Sequence, residues 1–199
     1  MKRTTATAAD LSDADLIAVS DADPETFGLL FDRHVGAIHG YICRRVGAAL
    51  AEELTAETFA RAFAARGSFV ALHQSASPWL YGIATNLVHN ASRAERRQLE
   101  AYGKAASVVT VPSAEFDQAD ARLDALRATP RLVMALLELE PGERDALVLF
   151  AWQDLSYQDV GTALGIPAGT VASRINRARR LVRASIGAAG EPNGLKGTV

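Results

Sequence analysis

One cysteine in 199 residues, Cys43, leaves the chain no means of building a disulfide framework or a cysteine-based metal site. Lying beside Tyr41 and Ile42, it is expected to be a small core residue. The four histidines (His34, His39, His73 and His89) show no paired spacing of the kind metal ligation uses. No serine, nor Cys43, sits in a nucleophile motif. Neither a metal site, a cofactor nor a catalytic residue is therefore expected, and a helical enzyme has little support. No stretch approaches 18 uncharged apolar residues, so direct membrane insertion is not expected. The opening MKRTTATAADLSDADL has two basic residues and then turns acidic, which does not read as a secretory signal. With the single thiol, this suits a reducing cytoplasm. An alternating strand pattern of useful length is also missing, so the fold class is all-α.

Apolar residues make up 49% of the chain and charged residues 22%, enough for a buried core in an ordinary water-exposed protein. The net charge of −2 hides a segregation. Residues 1–30 sum to −4, residues 131–155 to −3, and residues 156–186 to +4. Phosphate neutralisation is a contact effect, so a nucleic-acid partner needs a local basic surface rather than a basic total. A solvated helix face is the plain alternative for such a run of arginines.

Helical periodicity organises most of the chain. Ser12 and Asp15 have capping-box spacing at the start of a short helix to Val19, within an N-terminal segment 1–22. Pro24 opens a second helix, with Phe27, Leu30, Phe31, Val35, Ile38 and Ile42 at three- and four-residue steps. A third runs from about Ala51 to Arg66 with Leu54, Phe59, Ala62 and Phe63 as its apolar stripe. Residues 67–77, GSFVALHQSAS, read as a loop. A fourth helix starts near Pro78, turns Trp79, Leu80, Ile83, Leu87 and Val88 inward, and ends in Arg93, Arg96 and Arg97. Periodicity then fails, and 103–128 reads as a linker too short for another domain. Thr129 and Pro130 form a cap and first-turn pair for a helix to about Leu139. Another helix spans Gly142 to Trp152. The Gly- and Pro-containing tail, 187–199, is expected to be disordered. Two small helical domains on a flexible tether result, 23–102 and 129–186.

The most specific signal is Leu155 to Ala184, LSYQDVGTALGIPAGTVASRINRARRLVRA. Ser156 and Asp159 cap one short helix, Gly165 is a left-handed stop, and Pro167 starts a second helix holding five arginines and no acid. Val171, Ile175, Ala178 and Val182 share its inward face. Ser173, Asn176, Arg177 and Arg180 share the outward one, with Gly169 and Thr170 at its N-terminal end. This describes a helix-turn-helix whose second helix enters the major groove. Arginine pairs with guanine and asparagine with adenine, so Ser173, Asn176 and Arg177 are the expected base readers. Arg174, Arg179, Arg180 and Arg183 are expected to hold phosphates or cap the helix.

The unit LSYQDVGTALGIPAGTVASRINRARRLVR resembles region 4 of sigma-70-family RNA polymerase sigma factors. AEELTAETFARAF at 51–63 is similar to region 2.2, SPWLYGIATNLVHNASRAERR at 77–97 to regions 2.3 and 2.4, and FGLLFDRHVGAIHGYI at 27–42 to region 2.1. Four segments in order, with only a short linker between the halves, resemble the small extracytoplasmic-function type. The resemblance implies that Glu53, Leu54, Glu57, Thr58 and Arg61 dock on the clamp coiled coil of core RNA polymerase. A salt-bridged helix face is the competing reading, since Glu57 and Arg61 sit at i,i+4.

The resemblance also implies that loop 67–77, with Ser75 and Ser77, and Asn86 and Asn90 capture the melted −10 strand. Arg93, Arg96 and Arg97 would hold the backbone beyond it. Trp79 and Tyr81 are candidate stacking platforms, although Trp79 has core periodicity. Region 4 would bind the −35 duplex through Gly169, Thr170, Ser173, Arg174, Asn176, Arg177 and Arg180. Glu138, Glu140 and Glu143 would face the polymerase flap, and an anti-sigma factor is an implied partner. Ala172 and Phe150 stand where the family commonly has basic residues, Ala56 where it has glutamine and Glu53 where it has aspartate. The first pair removes possible DNA contacts. The rival reading is a one-component transcription regulator, in which residues 1–100 sense or dimerise and the helix-turn-helix binds a palindrome without polymerase.

Overall fold

The computed structural model describes residues 11–70, 75–101 and 130–187, and all regular structure among them is helical. The helices up to Ala101 belong to one compact unit. Those from Pro130 belong to a second, apart from Thr162–Gly165 at the end of one helix.

In the first unit, α1 (Asp13–Val19) begins with the capping box the sequence predicts: the Ser12 hydroxyl accepts from Asp15 N–H and the Asp15 carboxylate accepts from Ser12 N–H. Pro24–Thr26 forms a single 3-10 turn rather than the start of the next α-helix, and α2 (Phe27–Val46) follows it. After a break at Gly47 come α3 (Ala48–Ala65), a 3-10 turn at Arg66–Ser68, and α4 (Ser77–Ala101). The core is made of Leu16 and Ile17 from α1, Leu30, Ile38, Tyr41 and Ile42 from α2, Ala51, Phe59 and Ala62 from α3, and Leu80, Ala84, Leu87 and Val88 from α4. Each fully buried Leu or Ile among them contributes about 1.5–3 kcal/mol through the water it excludes. Tyr41 meets the polar demand of its burial by sharing a hydrogen bond of 2.7 Å with the buried Thr85 hydroxyl.

Some apolar positions sit further out than their periodicity predicts. Phe31 stays 39% exposed at the rim, its ring edge-on to Phe59. Val35 and Ile83 are only half-buried, and Cys43 is a half-buried free thiol rather than a core residue. Trp79 is half-buried against Phe69.

The second unit consists of α5 (Pro130–Glu138), α6 (Pro141–Trp152), α7 (Tyr157–Leu164) and α8 (Ala168–Gly187). Ala135, Leu139, Ala146, Val148, Leu149, Val160, Val171, Ile175 and Ala178 form its core. The corner between α5 and α6 is tied by Arg144, whose guanidinium donates to the carbonyls of Leu136, Leu137 and Leu139 at 2.7, 2.6 and 3.0 Å. The Leu136 and Leu137 carbonyls are among those that the end of α5 leaves without helical partners, and Leu139 follows the helix directly. The linker 103–128, Thr129, residues 71–74 of the predicted loop and the tail from Ala188 lie outside the described residues. Gly187 itself closes α8.

Candidate nucleic-acid interface

The helix-turn-helix is assembled from local chemistry. At the start of α7, Asp159 N–H donates to the Ser156 hydroxyl, and Ser156 N–H donates back to Asp159 Oδ2. Gly165 takes φ +65°, which a side chain rarely tolerates, and Ile166 N–H returns to Gly161 C=O at 3.0 Å. Pro167 then caps the first turn of α8, accepting from Thr170 and Val171 N–H. Val171, Ile175 and Ala178 are fully buried, and Val182 is half-buried. Burial of that stripe turns the opposite face outward, leaving Gly169, Ser173, Asn176, Arg177 and Arg180 exposed and Thr170 and Arg174 half-exposed. The Ser173 hydroxyl donates to Thr170 C=O, so its oxygen is left as an acceptor.

Three arginines of α8 are held in different ways. Arg177 Nε lies 3.0 Å from Oε1 of Glu143 in the first turn of α6. The guanidinium of Arg174 lies across Gly142, so that a Cβ at that position would come within 2.7 Å of its Nη1. Arg179 stacks over the Phe150 ring, 5.0 Å from its centroid, while Tyr157 packs on the same ring. Phe150, expected only as a lost basic contact, thus orients a basic side chain of the recognition helix. The expectation for Glu143 is corrected. Its side chain is 8% exposed and points at α8, so it presents no surface to a flap; Glu138 and Glu140 are exposed.

In the first unit, Asn86, Asn90, Arg93 and Arg97 recur along α4 at steps of four, three and four residues, and all are exposed. Arg93 is braced by Asn90 Oδ1 and His89 C=O. Arg96 also lies within α4. Just ahead of the helix, Ser77 N–H donates to Ser75 Oγ, and the two hydroxyls are 3.0 Å apart. Tyr81 is no stacking platform. It is 4% exposed with its ring edge-on to Tyr41, and burial pushes its hydroxyl up to about 12.

The segment entering α4 is held by Asp13, a residue that sequence reasoning passed over as part of an acidic terminus. Asp13 Oδ2 accepts from Ala76 N–H at 2.9 Å and lies 2.7 Å from His34 Nε2 and 3.4 Å from the Ser75 hydroxyl. Oδ1 pairs with Arg33 at 3.1 Å. Burial raises this carboxyl, but the hydrogen bonds from His34 and Ala76, the His34 charge and Arg33 outweigh it and bring it down to about 2. Arginine, histidine and a backbone amide converging from elsewhere in the chain leave no pattern in a single sequence.

On α3, Glu53, Glu57 and Arg61 face solvent, with Arg61 Nε 2.7 Å from Glu57 Oε1. Leu54 and Thr58 do not belong with them. Thr58 is fully buried with its hydroxyl on Leu54 C=O, and Leu54 is 9% exposed. The expectation that these two touch a partner is corrected, because the i,i+4 repeat that aligns them is the buried face of the helix.

Two family models match this chain in order: Sigma-70 region 2 over residues 30–98 and Sigma-70, region 4 over residues 130–182. RNA polymerase sigma factor CarQ of Myxococcus xanthus is 32% identical over 168 residues, a span of 84% of this chain and 92% of that protein. ECF RNA polymerase sigma factor SigW of Bacillus subtilis is 30% identical over 173 residues, 83% of this chain and 91% of that one. The sigma factor RpoE of Bartonella quintana, solved in complex with the anti-sigma factor NepR, superposes with a TM-score of 0.61 at 22% identity, covering 82% of this chain and 98% of RpoE. That last likeness bears on the fold alone. With both regions present in order and curated relatives aligned over nearly their whole length, the chain belongs to the sigma-70 family of RNA polymerase sigma factors, in its extracytoplasmic-function group.

Proposed function

We propose that this alternative sigma factor divides promoter recognition between two functional domains, 23–102 and 129–186, with 103–128 as the tether and 1–22 and 187–199 as flanks. The chain binds core RNA polymerase and directs promoter-specific transcription initiation. In our reading α8 reads the −35 duplex. Ser173, Asn176 and Arg177 contact base edges, Arg174 and Arg180 contact phosphates, and Gly169 and Thr170 admit the backbone closely. Ser75, Ser77, Asn86 and Asn90 capture melted −10 bases, with Arg93, Arg96 and Arg97 on the strand beyond. Glu53, Glu57 and Arg61 dock on the clamp coiled coil, Leu54 and Thr58 stiffen that helix from behind, and Glu138 and Glu140 meet the flap.

The observation that carries this reading is the outward face of α8, polar and basic opposite the fully buried Val171, Ile175 and Ala178. A one-component regulator would account for the second unit alone and leave the region 2 match over 30–98 without a purpose. Sigma factors are not enzymes in general, and polymerase supplies the chemistry. RpoE was solved with the anti-sigma factor NepR, and we extend such restraint to this chain. No helix among the described residues is long and apolar enough to cross a membrane. We place the protein in the cytoplasm, at the nucleoid through polymerase. Run-off transcription with purified core polymerase on a promoter selected from random DNA tests the reading. Initiation at a discrete start site is expected, and no stimulation of core over a range of salt would refute it.

A further inference from the structure

The pairing of Glu143 with Arg177 has a shape that stability alone does not explain. Glu143 is a carboxylate nine-tenths buried, and one of its oxygens, Oε2, has no hydrogen-bond partner among the described residues. Burying a charge and leaving part of it unsatisfied is costly, and an apolar side chain of the same volume commonly serves a fold at least as well. Its partner gains little in return, because the Arg177 side chain remains 61% exposed and such half-solvated pairs contribute weakly to folding. What the pair does accomplish is geometric. The contact the structure shows, at 3.0 Å, is made through Nε, the inner nitrogen of the guanidinium. An arginine reads guanine by donating two parallel hydrogen bonds to O6 and N7, and an Nε anchor leaves the two terminal groups for that purpose. It also reduces the rotamer freedom that a long side chain loses on binding.

The neighbourhood fits the same role. Glu143 sits in the first turn of α6, where the helix dipole favours a carboxylate. Arg174, one turn before Arg177 on α8, lies across the adjacent Gly142. The N-terminal turn of α6 is therefore a rest for two side chains of the recognition helix.

We propose that Glu143 is a specificity-determining positioning residue: it does not touch DNA, and it holds Arg177 in the orientation that selects guanine at one position of the −35 element. The proposal rests on the reading of Arg177 as a base reader, and the test separates the two. Holoenzyme assembled from the full chain and core polymerase is bound in competition to promoter fragments carrying each base at each −35 position. Arg177→Ala is expected to abolish the preference at one position. Glu143→Gln, and the apolar Glu143→Met that needs no buried charge to fold, are expected to weaken the preference at that same position by about fivefold. Combined with Arg177→Ala, neither is expected to change it further. If Glu143 is only a structural residue, its variants lower binding to all fragments alike while the wild-type preference persists, and the proposal is overturned. If Arg177→Ala itself leaves every preference unchanged, the base-reader assignment falls and the proposal falls with it.

Discussion

Replacing Asp13 with alanine removes one carboxylate that four groups share: the Arg33 guanidinium, which keeps Leu11 C=O, the Ser75 hydroxyl, which keeps Ser77 Oγ, the His34 ring and the buried Ala76 N–H. Two routes give the magnitude. A fall of the carboxyl from its ordinary 3.8 to about 2 corresponds to about 2 kcal/mol of folding stability. Removing one member of a buried ion pair costs about 3–5 kcal/mol. The loss is set at the lower end, about 3 kcal/mol, because the Arg33 side chain is 31% exposed and water recovers part of its solvation. In a unit of this size that lowers Tm by roughly 12 °C or more.

Thermal unfolding at pH 7, followed by Trp79 fluorescence in a Trp152→Phe background, reports on the first unit. A folded-state pKa below the unfolded one stabilises at pH above 3.8, and the benefit is lost as pH falls toward 2. The gap between wild type and Asp13→Ala should therefore be full at pH 7 and narrow progressively below pH 4. Asp13→Asn, which keeps an acceptor for Ala76 N–H, should lose less. A Tm shift under 2 °C, or a gap as wide at pH 3 as at pH 7, would refute the argument that this carboxylate ties α1 to the entry of α4.

Two further outcomes follow from the geometry. Asn86→Ala, an exposed position, should lower open-complex yield measured by permanganate reactivity while core binding stays at the wild-type level; normal opening would remove it from the −10 readers. Ser156→Ala removes the cap of α7 and should destabilise the second unit by about 1 kcal/mol in urea unfolding, with a proportionate fall in −35 binding. An unchanged unfolding midpoint would show that the turn is held without the cap.

Much of the fold was legible because its signals are local. The two capping boxes, the Gly165 stop and the Pro167 start involve residues three or four apart, and each forms as its spacing predicts. The buried stripe of α8 was equally legible, since Val171, Ile175 and Ala178 share a face through helical geometry alone. Where residues carried two plausible roles, the sequence did not choose. Leu54 fitted both an apolar stripe and a docking surface, and only packing against neighbouring helices places it and Thr58 inside. Tyr81 and Cys43 likewise needed a neighbourhood before their exposure was known.

From its sequence, then, this chain declares two helical domains, a capped helix-turn-helix and a basic outward face, because caps, turns and amphipathic stripes act over a few residues. Tertiary structure decides which charges are outward and which are spent inside the molecule. Glu143 on Arg177, Asp13 on Arg33, His34 and Ala76, and Arg144 on the end of α5 are pairings fixed by how helices cross. The absence of acid from α8 is a fact of its sequence. That a buried carboxylate from another helix nonetheless pairs with one of its arginines is a fact of the fold.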